Sequence, residues 1–91
     1  MHKQLRALFS GRVQGVGFRF TAERLARHFE VRGYVRNLPD GKVELLVEGE
    51  EMILKDFLKA VKESQMAEYI RDIKAEWTEP SGRYQNFGIA Y

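Results

Sequence analysis

A chain of 91 residues can form one compact domain and is too short for two. Its 44% hydrophobic and 12% aromatic content suffices to bury a core and argues against disorder, while the absence of cysteine excludes disulfides, thiolate catalysis and cysteine-held metals. The 15 basic and 13 acidic side chains leave a formal charge of +2, too small an excess to demand a polyanionic partner, so what matters is where positive charge gathers.

Leu5, Ala7 and Phe9 alternate with Arg6, Leu8 and Ser10, which predicts a first strand whose second face is only partly exposed. Three glycines within Gly11 to Gly17 then mark a loop. Phe18, Ala22, Leu25, Ala26 and Phe29 recur at helical spacing, with Glu23, Arg24, Arg27 and His28 turned elsewhere, and predict the first helix. A second strand is expected from Val31 to Asn37. Leu38-Pro39-Asp40-Gly41 is a turn, proline setting φ and glycine closing the reversal, that joins it to a third strand in a hairpin. There Val43, Leu45 and Val47 alternate with Lys42, Glu44 and Glu48, which places the two glutamates on a solvated edge or face. Glu50 and Glu51 put negative charge at the start of a second helix, where the helix dipole favours it, and Leu54, Phe57, Leu58 and Val61 form its core stripe. Ile73, Ala75 and Trp77 alternate in a fourth strand over 70–78, Pro80-Ser81-Gly82 turns the chain, and Phe87, Ile89 and Tyr91 mark a short last strand. Trp77 and the tyrosines are expected as packing residues.

The order is βαββαβ plus a short terminal strand. Two helices covering one face of an antiparallel sheet predict an α+β sandwich of ferredoxin-like type, built as a single domain over 1–91. No signal-like apolar stretch opens the chain and no apolar run is long enough to span a bilayer, so the expectation is a cytoplasmic protein without a membrane partner.

The segment Gly11 to Arg19 lies between a strand and a helix. Its glycines let successive N–H groups point into one concavity, and the helix start adds unpaired N–H groups and a positive dipole end. Arg19, in or beside the first turn, has the planar fork that grips two oxygens of a phosphoryl group. Neither a Walker loop nor G-x-G-x-x-G is present. An oxyanion cradle and a tight connection carrying a surface arginine fit this segment about equally well on general grounds. His28 is expected at the surface or half-buried, His2 near a frayed terminus, Asp40 as a turn residue, and Arg12 either near the cradle or at the surface.

The letters Gly11-Arg12-Val13-Gln14-Gly15-Val16-Gly17-Phe18-Arg19 resemble the signature of the acylphosphatase family. So do Gly33-Tyr34-Val35-Arg36-Asn37, Gly41-Lys42-Val43 with Gly49 beyond, and the closing Phe87-Gly88-Ile89. By that resemblance, Gln14, Gly15, Val16, Gly17, Phe18 and Arg19 bind the phosphoryl group and Asn37 orients the attacking water. The implied activity is hydrolysis of small acyl phosphates, without metal or other cofactor, by a monomer that does not bind nucleic acid. The chain departs from the family where a Gly-Pro element commonly follows the second helix; here it reads Ser64-Gln65-Met66-Ala67. Two rivals remain. One is a non-enzymatic RNA-binding module of ferredoxin-like type, against which the acidic third strand without aromatics speaks. The other is a domain like that of hydrogenase-maturation proteins, which handles carbamoyl phosphate; a chain ending at Tyr91 favours a free-standing enzyme instead.

Overall fold

The computed structural model describes residues 1–91. β1 spans His2–Gly11, α1 Phe18–Ala26, β2 Arg32–Asn37, β3 Val43–Glu50, α2 Glu51–Lys62, β4 Ile70–Thr78 and β5 Phe87–Ile89, with a 3-10 turn at Gln65–Tyr69 before β4. One five-stranded sheet has the order β4-β1-β3-β2-β5. This is the expected ferredoxin-like α+β fold, with one refinement: β5 runs parallel to β2, pairing Gly33 with Phe87 and Val35 with Ile89, so the sheet is mixed.

α1 packs on β2 and β5, and α2 on β3 and β1. Between helices and sheet lie Leu5, Ala7 and Phe9 of β1, Val43, Leu45 and Val47 of β3, Phe18 and Ala22 of α1, and Leu54, Phe57 and Val61 of α2, all buried. Phe9 meets Phe18 with ring centroids 4.8 Å apart. Each large apolar side chain buried this way contributes about 1.5–3 kcal/mol. A one-residue slip in strand pairing would turn the whole β1 or β3 set outward, so the register is firmly held. α1 ends at Ala26, short of Phe29. Phe29 instead packs on Phe57 at 5.5 Å from the turn that follows. In the segment that departs from the family pattern, the Ser64 hydroxyl accepts from the Met66 N–H at 3.1 Å and Met66 is buried.

Two expectations are overturned at the sheet. Glu44 and Glu48 are only 2% and 3% exposed, not solvated. β3 is the central strand, and both glutamates sit on the face the helices leave open, where each finds partners. Arg6 and Arg36, from the two flanking strands, each donate through Nε to Glu44 at 2.6 Å. Glu48 accepts from the N–H and hydroxyl of Ser81, at 2.6 and 2.7 Å, and from the N–H of Gly82 at 3.0 Å. Those donors lie on the connection from β4 to β5, which must cross from one edge of the sheet to the other. Trp77, placed opposite Leu5 on the helix side, is nevertheless 39% exposed, because β4 is the edge strand beyond the helices.

Burial pushes the Glu44 carboxyl up, but the hydrogen bonds and charges of Arg6 and Arg36 outweigh it and hold the group below the ordinary carboxylate range. A carboxyl lowered by folding contributes stability above its unfolded pKa and loses that contribution as pH falls through the folded value. The urea midpoint should therefore drop on acidification below the ordinary value of 4.5. In Glu44→Gln the drop should be smaller, and stability at pH 7 should already be lower by about 1–3 kcal/mol, since two guanidiniums lose a charged acceptor. Equal acid slopes in both proteins would place the acid sensitivity elsewhere.

Candidate active site

β1 delivers the chain into the 11–17 loop, and α1 carries it back. Val13 is fully buried and Val16 packs against the core, so the loop is anchored by its apolar members. Between them, Gly15 has φ 77° and Gly17 φ 82°, the left-handed region that side chains disfavour. A Cβ at either glycine would meet nothing within 4 Å. Conformation, not crowding, requires glycine here, and the space before the loop is open.

Gly17 is also the N-cap of α1, with no side-chain cap, and its carbonyl accepts the first helical bond from the Thr21 N–H at 3.0 Å. The N–H groups of Phe18, Arg19 and Phe20 precede that bond and have no acceptor within the helix. All three residues line a cavity of about 170 Å³, together with Val13, Gly15, Gly17 and Asn37. Arg19 is half-buried and forms no salt bridge; its guanidinium carbon lies 5.2 Å from the centroid of the Tyr91 ring. Asn37 reaches the cavity from the end of β2. Its Oδ1 is buried and has no hydrogen-bond partner. Leaving such an acceptor unsatisfied costs about 1–3 kcal/mol, and a group held at that cost calls for an explanation.

The fold thus brings Gly15, Gly17, Phe18, Arg19 and Asn37 together. Two other named loop residues face away. Gln14 donates both hydrogens of its amide nitrogen to the hairpin turn, to the Leu38 carbonyl at 2.8 Å and the Lys42 carbonyl at 2.9 Å. Val16 turns into the core. Arg12 stands outside the cavity, its guanidinium 5.9 Å from the Tyr69 ring. Asp40 is a turn residue, accepting from the Lys42 N–H at 3.0 Å and from its ammonium at 3.2 Å, contacts that lower its carboxyl pKa. His28 is exposed, and His2 has Nδ1 3.5 Å from Glu50. Larger depressions, about 320 Å³ beside His2 and Glu50 and about 370 Å³ beside Arg12 and Arg71, contain no buried unpaired polar side-chain atom.

Chemically, the cavity combines free N–H donors at a helix start, a guanidinium with no carboxylate partner and one carboxamide oxygen awaiting a donor. Such a set suits a tetrahedral oxyanion with a water beside it. Sequence reasoning missed the placement of Phe20 on the cavity wall, the approach of Tyr91 to Arg19 and the task of the Gln14 side chain. Only Phe20, adjacent to Arg19, carried a local signal.

The model of the acylphosphatase family matches residues 5–89. The acylphosphatase of Archaeoglobus fulgidus is 44% identical over 82 residues, which cover 90% of this chain and 91% of that one. The crystal structure of acylphosphatase from Bacillus subtilis superposes with a TM-score of 0.89 at 37% identity, covering 98% of this chain and 99% of that one. Full-length HypF, in its phosphate- and nucleotide-bound form, superposes with a TM-score of 0.86 at 26% identity over all of this chain but only 12% of its own. With a family match spanning nearly every element of the fold, and near-complete mutual coverage of a related enzyme, the chain belongs to the acylphosphatase family.

Proposed function

We propose that the chain hydrolyses acyl phosphates to a carboxylate and inorganic phosphate, with the 15–19 backbone and Arg19 holding the phosphoryl oxygens and Asn37 holding the attacking water. The observation that carries these roles is the buried Asn37 Oδ1 without a partner, in one cavity with Arg19 and a glycine-shaped helix start. The leaving group is a carboxylate, which needs no proton at neutral pH, so catalysis reduces to positioning and charge stabilisation. Water accepted by Asn37 Oδ1 attacks phosphorus in line with the departing carboxylate. Its proton passes to a phosphoryl oxygen, which removes the need for a histidine or paired carboxylate as base.

The enzyme so read is a single domain over 1–91, a cytoplasmic monomer that works without metal. Its ligand is a small molecule, not nucleic acid: on the open sheet face, Arg6 and Arg36 are tied to Glu44 and the segment after β4 crosses above Glu48. A second reading, carried by the resemblance of the loop motif to the domain of hydrogenase-maturation proteins, takes carbamoyl phosphate as the substrate. Comparing its turnover with that of an aromatic acyl phosphate separates the two.

Hydrolysis of a synthetic acyl phosphate should proceed undiminished in EDTA. Inorganic phosphate should inhibit it competitively, since a cradle for a phosphoryl group accepts the free anion, and chloride at equal ionic strength should inhibit far less. Loss of activity on chelation, restored by zinc or magnesium, would sink the metal-free mechanism. Phosphate that left the apparent KM unchanged would move the substrate away from the loop.

A further inference from the structure

We infer that Gln14 is a positioning residue that fixes the attacking water relative to the phosphoryl cradle, an inference that rests on the role proposed for Asn37. Gln14 immediately precedes Gly15, whose left-handed backbone opens the cradle, and Leu38, whose carbonyl it binds, immediately follows Asn37. One carboxamide therefore ties together the two chain segments whose separation sets the distance from water to phosphorus. No other hydrogen bond joins the 11–17 loop to the 38–42 turn.

The turn does not need Gln14 to exist. The Leu38 N–H donates to the Lys42 carbonyl at 2.8 Å, the Gly41 N–H to the Leu38 carbonyl at 3.1 Å, and Asp40 accepts from the Lys42 N–H at 3.0 Å. Gln14 adds a second donor to each of two carbonyls that already have one, filling both acceptors from outside the turn. Its length matters, because one nitrogen must reach both oxygens. Its neutrality matters as well, since a carboxylate there would face two carbonyl oxygens with nothing to donate. What the contact supplies is the placement of one preformed turn against one preformed loop.

Misplacing a reacting group by about 1 Å can cost roughly a hundredfold in rate. Gln14→Leu and the isosteric Gln14→Glu should therefore each lower kcat by about ten- to a hundredfold. In Gln14→Leu, which adds no charge beside the cradle, the competitive inhibition constant of inorganic phosphate should stay within about twofold. The deciding measurement is a double-mutant cycle with Asn37→Ala, using rates per folded molecule. With Asn37 gone there is no carboxamide to position, and the Gln14 substitutions should cost less than about threefold more. An equal fold-loss in both backgrounds, or weakened phosphate inhibition with kcat unchanged, would overturn the inference and make Gln14 a structural or cradle residue. Full activity in the Gln14 variants beside an inactive Asn37→Ala would overturn it alone. An Asn37→Ala protein at full rate would sink the role of Asn37 itself and Gln14 with it. Because Gln14→Glu preserves shape and length, it keeps the test available should the leucine variant fold poorly.

Discussion

Replacing Arg19 with lysine should abolish turnover almost as completely as replacing it with alanine. An ammonium restores the charge but not the planar fork proposed to engage two phosphoryl oxygens together, and its strongly hydrated head is poorly matched to a partly enclosed site. A charge-assisted contact that tightens as negative charge develops is worth several kcal/mol, so both variants should lose roughly a thousandfold or more in kcat. Both should remain folded. Arg19 makes no salt bridge, and its cation–π contact is with a Tyr91 that is itself 94% exposed. Far-UV circular dichroism and urea midpoints near those of the parent protein would establish this. A folded Arg19→Lys enzyme with substantial activity would refute the clamp and leave only a requirement for positive charge.

Asn37→Ala should lower kcat by about two to three decades while inorganic phosphate still inhibits with nearly its original constant. The expected split follows from geometry, because Asn37 enters the cavity from β2, separate from the loop and helix start proposed to hold the anion. Stability should hold nearly unchanged, since the Asn37 Oδ1 that the substitution removes has no hydrogen-bond partner within the protein. Stability is the discriminating readout. A residue that merely opened the hairpin turn would lose stability on truncation and keep its rate per folded molecule. Asn37→Asp is a useful companion, because a carboxylate can accept from water but would face the phosphoryl charge; it should also be slow, and phosphate should inhibit it less.

The elements of this fold were largely legible in the sequence because their apolar spacing is undisturbed. Leu5-Ala7-Phe9, Val43-Leu45-Val47 and Leu54-Phe57-Val61 each occupy the faces that their periods require. The conformation of the 11–17 loop was legible for a different reason: glycines at 15 and 17 followed by a helical stripe admit few local structures. What escaped was decided at long range. Glu44 alternates with valine and leucine as any solvated residue would, and its burial depends on Arg6 and Arg36, of which one lies 38 residues away. Glu48 depends on Ser81, 33 residues on. Trp77 shows the converse, an apolar residue of correct phase on a strand that the helices do not reach. The parallel docking of β5 could not be read from a three-residue strand, because its partner is chosen by a connection that crosses the whole sheet. Gln14 was expected among the residues that bind the phosphoryl group, and its side-chain partners could not be foreseen because they appear only when the hairpin turn closes against it.

The helix that starts at Phe18 has a glycine where most helices place a serine, threonine, aspartate or asparagine to satisfy their first amides. An anion seated in the cavity would supply the acceptor that the chain omits, so ligand occupancy and the integrity of that first turn are one equilibrium. Folded protein saturated with phosphate at about a hundred times its dissociation constant would gain about 2.7 kcal/mol against unfolding. Resistance to heat or proteolysis would then rise with the phosphate pool, and the empty enzyme would be the state most exposed to loss.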